Sequence, residues 1–264
     1  MPFTLSHPAA VLPLVRRPFN AVALVAGSVA SDMAYFVAAV GIPLSAQSWY
    51  EPFLNATTTH SPAGAVTVDL VYGLALCGLV FAARRPFGVL LPDGPASPRL
   101  GALAVRAWWV LASLLIGIAT HLLWDSFTHA GGDAISHLSF TESTAAGGLT
   151  WGELLQYVST AGGLAAIGWY LWRRRSRWAT QDPAIRRHRR LLTVGLAVAV
   201  LLGAALGAVG VLTDDLGDLT TAEVVRHVVY AAAKAAGAAF VAAVVLYVAG
   251  WWVRRGVRAS ARLG

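Results

Sequence analysis

Long apolar segments constrain this chain more than any other feature of its sequence. Six of them approach the length of about 20 residues that an α-helix needs to cross a bilayer. Only 12% of the 264 residues are charged, about half the share found in soluble proteins. The sequence therefore predicts an all-α, polytopic membrane helix bundle with about six transmembrane helices, over residues 21–44, 64–83, 103–124, 154–172, 191–212 and 228–252.

Basic residues alternate from one connection between these segments to the next. Residues 84–106, 173–190 and the C-terminal tail carry arginines, whereas residues 45–63, 125–153 and 213–225 carry no lysine or arginine. This positive-inside pattern predicts a multi-pass protein of the bacterial inner (plasma) membrane with both termini in the cytoplasm. The net charge of +7 follows this pattern, so the lipid bilayer is the expected partner and nucleic acid is not.

The arginine-rich stretch 173–190 divides the chain into two halves of different chemistry. Five of the seven histidines precede residue 150, and the second half is rich in alanine, valine and glycine. We predict a metal-site membrane module over residues 1–150, with three spans and an N-terminal segment. Residues 151–264 are predicted to form a three-span module that packs with the first as one domain. A single cysteine, Cys77, excludes a cysteine-rich metal site.

The strongest chemical signal is a stripe of His121, Asp125 and His129 at the end of the third apolar segment. Residues four apart lie on one face of a helix, and imidazole and carboxylate groups bind metals and transfer protons. Ionisable side chains are costly inside a membrane and usually mark function there. The alternative is a helix end with solvated polar side chains.

Three more polar residues lie at or within the predicted spans. Asp32 is inside the first, His60 begins the second, and Asp69 lies two turns further along. Each has an alternative explanation. Asp32 can be a carboxyl group held by Ser28 and Ser31, His60 an interfacial loop residue, and Asp69 a polar contact between helices.

Imidazoles and carboxylates together suit a divalent metal, zinc first and manganese as an alternative. A metal with an open coordination position makes bound water a nucleophile near neutral pH, which suits ester cleavage. His7 is a further candidate. Charge counting places its segment on the opposite side of the membrane from His60, so residues 1–18 must fold back into the bundle for His7 to join the site.

Several motifs carry a resemblance to a known family. They are Met1–Ala9 with His7, Gly27–Asp32, Thr59-His60-Ser61, Asp69–Gly73, Arg84-Arg85-Pro86 and His121–His129. The set resembles an uncharacterised bacterial membrane family of the domain-of-unknown-function type, frequent in actinobacteria, and it covers residues 1–150 well and the remainder loosely. The motif order is also similar to the YdjM-like inner-membrane metal-dependent hydrolases and, distantly, to zinc-dependent phospholipase C and P1-type nucleases.

The resemblance implies metal ligands at His7, Asp32, His60, His121 and Asp125. We expect Asp125 and His129 to act in catalysis. Residues expected to support the ligands from outside are Asp69, Ser61 and Thr128. The chain departs from the YdjM-like pattern where Ser31 replaces a proline and where Ala34 replaces an acidic residue.

These features predict a membrane-embedded, metal-dependent hydrolase that acts on a lipid or phosphoester near the membrane surface. Two other classes stay open. An ion- or proton-coupled transporter would use Asp32, Asp69 and His121 as a relay, and a non-catalytic scaffold would use the same polar groups to fix helix packing.

Overall fold

The computed structural model describes residues 4–39, 55–88, 101–128, 143–146, 149–175, 182–213, 217 and 220–260. Helices dominate this part of the chain, and the strands β1 (Thr144–Ala146) and β2 (Leu149–Thr150) pair antiparallel. The predicted all-α class is therefore confirmed. The helices are α1 (Pro8–Val11), α2 (Ala21–Ala30), α3 (Met33–Ala39), α4 (Ala56–Thr59), α5 (Pro62–Ala65), α6 (Val68–Gly88), α7 (Gly101–Thr128), α8 (Trp151–Arg174), α9 (Pro183–Thr213) and α10 (Thr221–Ser260).

The chain forms two compact units. The first draws on Met1–Ala34, Leu44–Val80 and Pro95–Arg177, and the second on Tyr35–Pro43, Phe81–Gly94 and Trp178–Gly264. Helix α8 thus belongs to the first unit. The division of the sequence at residue 150 stays a prediction.

The centre of the first unit is the close crossing of α2 and α7. A Cβ atom added at Gly27 would collide with the backbone of Leu114, and one added at Gly117 would collide with the carbonyl oxygen of Leu24. Two glycines at the crossing let the helix backbones approach each other directly. Ala23 and Leu114 fill the buried interface beside them. The crossing brings the C-terminal half of α7 against the last turn of α2.

A turn at Ser31 and Asp32 separates α2 from α3. The last four carbonyl groups of a helix have no donor within the helix. Here the carbonyl oxygens of Ser28 and Ser31 accept hydrogen bonds from side chains of other segments. The continuous first span predicted over residues 21–44 is therefore interrupted within its described part. Asp32 lies in this interruption, next to carbonyl groups that have no donor within the helix.

Residues 4–14 fold back against the first unit. Two 3₁₀ turns, Thr4–Ser6 and Leu12–Leu14, flank α1. Val11 is fully buried, and His7 is 5% exposed. A Cβ atom at Gly163 of α8 would lie 2.9 Å from the Cβ atom of Ser6, so this helix packs closely on the segment. The folding back that His7 requires is present.

In the part of the chain that the structure describes, four helical stretches are long and apolar enough to cross a membrane: Pro62–Ala83, Arg106–Thr128, Pro183–Thr213 and Glu223–Arg258. They correspond to the second, third, fifth and sixth predicted spans. Membrane association is thus supported, but the predicted number of about six is not confirmed. The first predicted span is interrupted, and α8 forms as a helix of 24 residues that is not among the four. The kind of membrane and the sidedness of the termini stay predictions.

In the second unit, α9 and α10 pack along each other. Of the 18 most apolar consecutive residues in each helix, only 6% are buried. Leu201, Leu206 and Leu246 are among the large apolar side chains left exposed. Contiguous apolar surface of this kind is rare on soluble proteins, and it is the surface that lipid covers in a membrane.

Candidate metal centre

Four ligand-type side chains converge in the first unit. Asp32 comes from the turn after α2, His60 from the turn between α4 and α5, and His121 and Asp125 from successive turns of α7. The Nε2 atoms of His60 and His121 are 3.5 Å apart. Each lies 3.7 Å from Oδ1 of Asp32 and 3.4 Å from Oδ2 of Asp125. Among the described residues, these four form a group that can hold a metal ion.

Hydrogen bonds on the far side of each imidazole determine its tautomer. Nδ1 of His121 lies 2.9 Å from the carbonyl oxygen of Ser28, which can only accept, so this nitrogen carries the proton. The hydroxyl group of Thr59 donates its one proton to the carbonyl oxygen of Ser31 at 2.8 Å, so it accepts from Nδ1 of His60 at 3.1 Å. In both neutral rings the Nε2 lone pair therefore points into the cluster.

The cluster thus presents lone pairs from all four side chains to one point. Two Nε2 atoms and two ionised carboxylate oxygens are all acceptors. Oδ1 of Asp32 is buried and has no hydrogen-bond partner in the part of the chain that the structure describes. Buried polar atoms of this kind normally have a partner, and a cation at the centre would satisfy all four. The donor set therefore fits a divalent metal.

The spacing of the ligand atoms is compatible with a single bound metal ion. Ligands about 2.1 Å from a tetrahedral metal are about 3.4 Å apart, whereas neighbouring ligands of an octahedral ion at that distance are about 3.0 Å apart. Five of the six ligand-to-ligand distances are between 3.4 and 3.7 Å, and the sixth is within 4.8 Å. These separations allow all four atoms to bind one divalent metal ion.

The centre is buried on all sides except at His60. The side chains of Asp32, His121 and Asp125 are at most 5% exposed, whereas that of His60 is 22% exposed. His60 immediately precedes the candidate span Pro62–Ala83, and Asp125 lies near the end of the candidate span Arg106–Thr128. The cluster therefore lies where two candidate spans begin and end, and it is accessible along His60.

His7 lies beside the four-residue group. Its Nε2 atom is 3.5 Å from Oδ1 of Asp125, the carboxylate oxygen that does not face the other histidines. Its ring is 4.0 Å from the ring of His121, tilted by 35°. Thr4 of the same segment hydrogen-bonds the carboxyl group of Asp32. The N-terminal segment thus contributes to the site, and His7 contacts a ligand from outside the four-atom set.

Ser31 and Asp69 form the next layer on the α6 side. The hydroxyl group of Ser31 donates to Oδ2 of Asp69 at 2.6 Å, and both side chains are buried. Asp69 therefore contacts the turn that carries Asp32, and its support of the ligands stays a prediction. Thr59 is the residue that the sequence reasoning missed, although it stands next to His60. A hydroxyl residue adjacent to a ligand histidine was the available signal.

The remaining sequence candidates have other contacts. The hydroxyl group of Ser61 donates to the carbonyl oxygen of Thr58 and accepts from the backbone of Gly64, so it caps α5. The hydroxyl group of Thr128 is buried and donates to the carbonyl oxygen of Trp124 at 3.2 Å. Their support of the ligands stays a prediction. His129 lies outside the described residues.

Comparison with known proteins identifies one family. A family profile described as a domain of unknown function, DUF4184, matches residues 1–249 of the chain. No curated protein and no solved structure is significantly similar to the chain.

Proposed function

Because the chain belongs to the DUF4184 family, whose function is unknown, we propose its function from the site itself. It is a zinc-dependent hydrolase that cleaves a lipid or phosphoester substrate at the membrane surface. The proposal depends on one observation above all others. The Nδ1 protons of His60 and His121 are engaged by Thr59 and Ser28, so both Nε2 lone pairs meet two carboxylates with no donor between them.

Zinc is favoured over manganese because two of the four donors are imidazole nitrogens, which suit zinc, whereas manganese prefers oxygen ligands. A zinc ion in such a site supplies a water nucleophile near neutral pH and polarises the ester oxygen. The protein residues hold this water and the ester in place. Asp125 is suited to proton transfer because its Oδ2 faces the ligand atoms while its Oδ1 faces His7 at 3.5 Å.

The position of the site supports a membrane-surface substrate. The cluster lies at the ends of two candidate spans, and the exposed edge of His60 is the route by which an ester can reach it. Helices with exposed apolar side chains surround the polar group. The motif order also resembles that of YdjM-like metal-dependent hydrolases and, distantly, that of zinc-dependent phospholipase C, which supports a hydrolase.

A structural metal centre is the second candidate function. Four protein ligands fill a tetrahedral zinc site completely, as in structural sites, whereas catalytic sites usually keep one position for water. In that case zinc would hold together the turn after α2, the turn between α4 and α5 and helix α7, without turnover. Hydrolysis requires one carboxylate to give up its position or the metal to accept a fifth ligand.

Metal content and turnover together test the proposal. We compare the full chain in detergent with the double variant Asp32→Ala/His121→Ala and with the control Asp182→Ala/His227→Ala, whose side chains are exposed and outside the cluster. We expect about one zinc per chain in the wild type and the control, and none in the cluster variant. Short-chain phospholipids and aryl phosphates should be hydrolysed by the two zinc-loaded proteins alone.

Two other outcomes would overturn the proposed hydrolase. Stoichiometric zinc without hydrolysis of any phosphoester would overturn the hydrolase and support the structural centre. A folded wild type that binds no zinc would overturn both, and would indicate that imidazolium–carboxylate pairs occupy the cluster instead.

A further inference from the structure

A second feature of the first unit lies at the C-terminal end of α8. A pocket of about 460 Å³ is lined there by Leu12 of the N-terminal segment and by five residues of α8, namely Ala166, Trp169, Tyr170, Arg173 and Arg174. None of these residues belongs to the metal cluster. Arginines and aromatic rings therefore meet in a concave site that the proposed hydrolase chemistry does not use.

The arginines of this pocket are positioned but not neutralised. The guanidinium group of Arg174 lies 4.2 Å from the ring centre of Tyr170, and that of Arg173 lies 5.6 Å from the ring centre of Trp169. Cation–π contacts of this kind orient a guanidinium group. In the described part of the chain, neither arginine forms a salt bridge, and the pocket lining contains no carboxylate. The pocket therefore has unused capacity for an anion.

The lining changes from apolar to basic along the helix axis. Leu12 and Ala166 form the apolar end, Trp169 and Tyr170 the middle, and Arg173 with Arg174 the basic end. The nine residues from Ala166 to Arg174 span about 12 Å of helix. Tryptophan and tyrosine followed by arginine is the order found at membrane interfaces, where rings lie at headgroup level and guanidinium groups reach the phosphates.

We propose that this pocket binds one anionic phospholipid, with the phosphate on Arg173 and Arg174 and the glycerol and first methylene groups against Trp169 and Leu12. Arginine binds phosphate oxygens in a bidentate manner, and the volume lies in the range of small-molecule sites. The apolar end distinguishes a lipid from a free phosphate ion. The proposal does not depend on metal binding or on hydrolysis.

The N-terminal segment links the lipid pocket to the metal centre. The N-terminal segment supplies Leu12 to the pocket and His7 to the neighbourhood of Asp125. A lipid in the pocket therefore packs against the segment whose His7 contacts Asp125.

Binding of short-chain lipids to the full protein tests the proposal. Delipidated protein in a neutral detergent is titrated with dioctanoyl phosphatidylglycerol, dioctanoyl phosphatidylcholine or inorganic phosphate, and binding is followed by native mass spectrometry and thermal shift. We compare the wild type with Arg173→Gln/Arg174→Gln. The matched control is Arg186→Gln/Arg187→Gln, which removes the same charge from two exposed arginines of α9.

We expect phosphatidylglycerol to bind the wild type and the control at least tenfold more tightly than the pocket variant. Phosphatidylcholine and inorganic phosphate should bind the wild type at least tenfold more weakly than phosphatidylglycerol. A Trp169→Ala variant should weaken phosphatidylglycerol binding and leave phosphate binding unchanged. Equal losses in the two arginine variants would show attraction by overall charge and overturn the site. Equal affinity for phosphate and phosphatidylglycerol would overturn the proposal that the ligand is a lipid.

Discussion

Thr59 offers the sharpest test of how the metal centre is built. Its hydroxyl group is fully buried, donates to the carbonyl oxygen of Ser31 at 2.8 Å and accepts from Nδ1 of His60 at 3.1 Å. Thr59→Val keeps the shape of the side chain and removes both hydrogen bonds. Nδ1 of His60 then has no fixed acceptor, and the ring is free to turn or to place its proton on Nε2, which removes the lone pair from the cluster.

The expected magnitudes follow from these two contacts. Loss of the partner that orients a ligand histidine typically weakens metal binding by about 10–100-fold, or about 1.4–2.7 kcal/mol. The carbonyl group of Ser31 also loses a buried donor, which costs about 1–3 kcal/mol of folding stability. Zinc affinity is measured by competition with a chromophoric chelator in detergent, and stability by thermal unfolding of the metal-free protein.

Thr57→Val is the matched control, because Thr57 lies on the same short helix with an exposed side chain. It should change neither quantity by more than about 0.5 kcal/mol. A folded Thr59→Val protein that binds zinc as tightly as the wild type would refute the argument from tautomers, and with it the main support for a metal at this position.

Three further perturbations follow from the same geometry. Gly117→Ala should destabilise the protein by about 1–3 kcal/mol because the added methyl group meets the backbone of α2, whereas Gly78→Ala, which meets no described atom within 4 Å, should be neutral in thermal unfolding. Ser31→Ala should cost about 1–3 kcal/mol through its lost bond to Asp69, measured against Ser126→Ala, and an equal small effect in both would contradict it. Acidification from about pH 7.5 to about pH 5.5 should release zinc because ligand imidazoles must be neutral. Removal of the zinc by a chelator at neutral pH should lower the unfolding temperature. Zinc content that stays constant on acidification would count against the site.

Much of the candidate site was predictable because helix periodicity and membrane energetics act locally. His121 and Asp125 share a face of α7 by their spacing alone. Asp32 and His60 were identified because polar ligand-type residues are costly at membrane depth. The structure brings these four together, although no spacing in the sequence relates one segment to another.

The parts that could not be predicted depend on tertiary packing. Charge counting describes the ends of spans, so it had no means to show that residues 4–14 fold back and bring His7 beside Asp125. The residues on both sides of Ser31 are mostly apolar, so the mean hydropathy of this region likewise cannot show that the helix ends there. The amino-acid sequence does not show which backbone carbonyl groups this break leaves available as acceptors. The hydrogen bond from Thr59 to the carbonyl oxygen of Ser31 could therefore not be predicted.

The distance along the chain between the parts of the site has a consequence for biosynthesis. The hydrogen bond from His121 to the carbonyl group of Ser28 joins residues 93 positions apart. At about 5–20 residues per second, the turn that carries Asp32 leaves the ribosome about 5–20 s before the helix that satisfies it. During that interval the carboxyl group of Asp32 and the carbonyl group of Ser28 have to remain near water or another protein. The site is therefore assembled, and any ion acquired, only after α7 has been made.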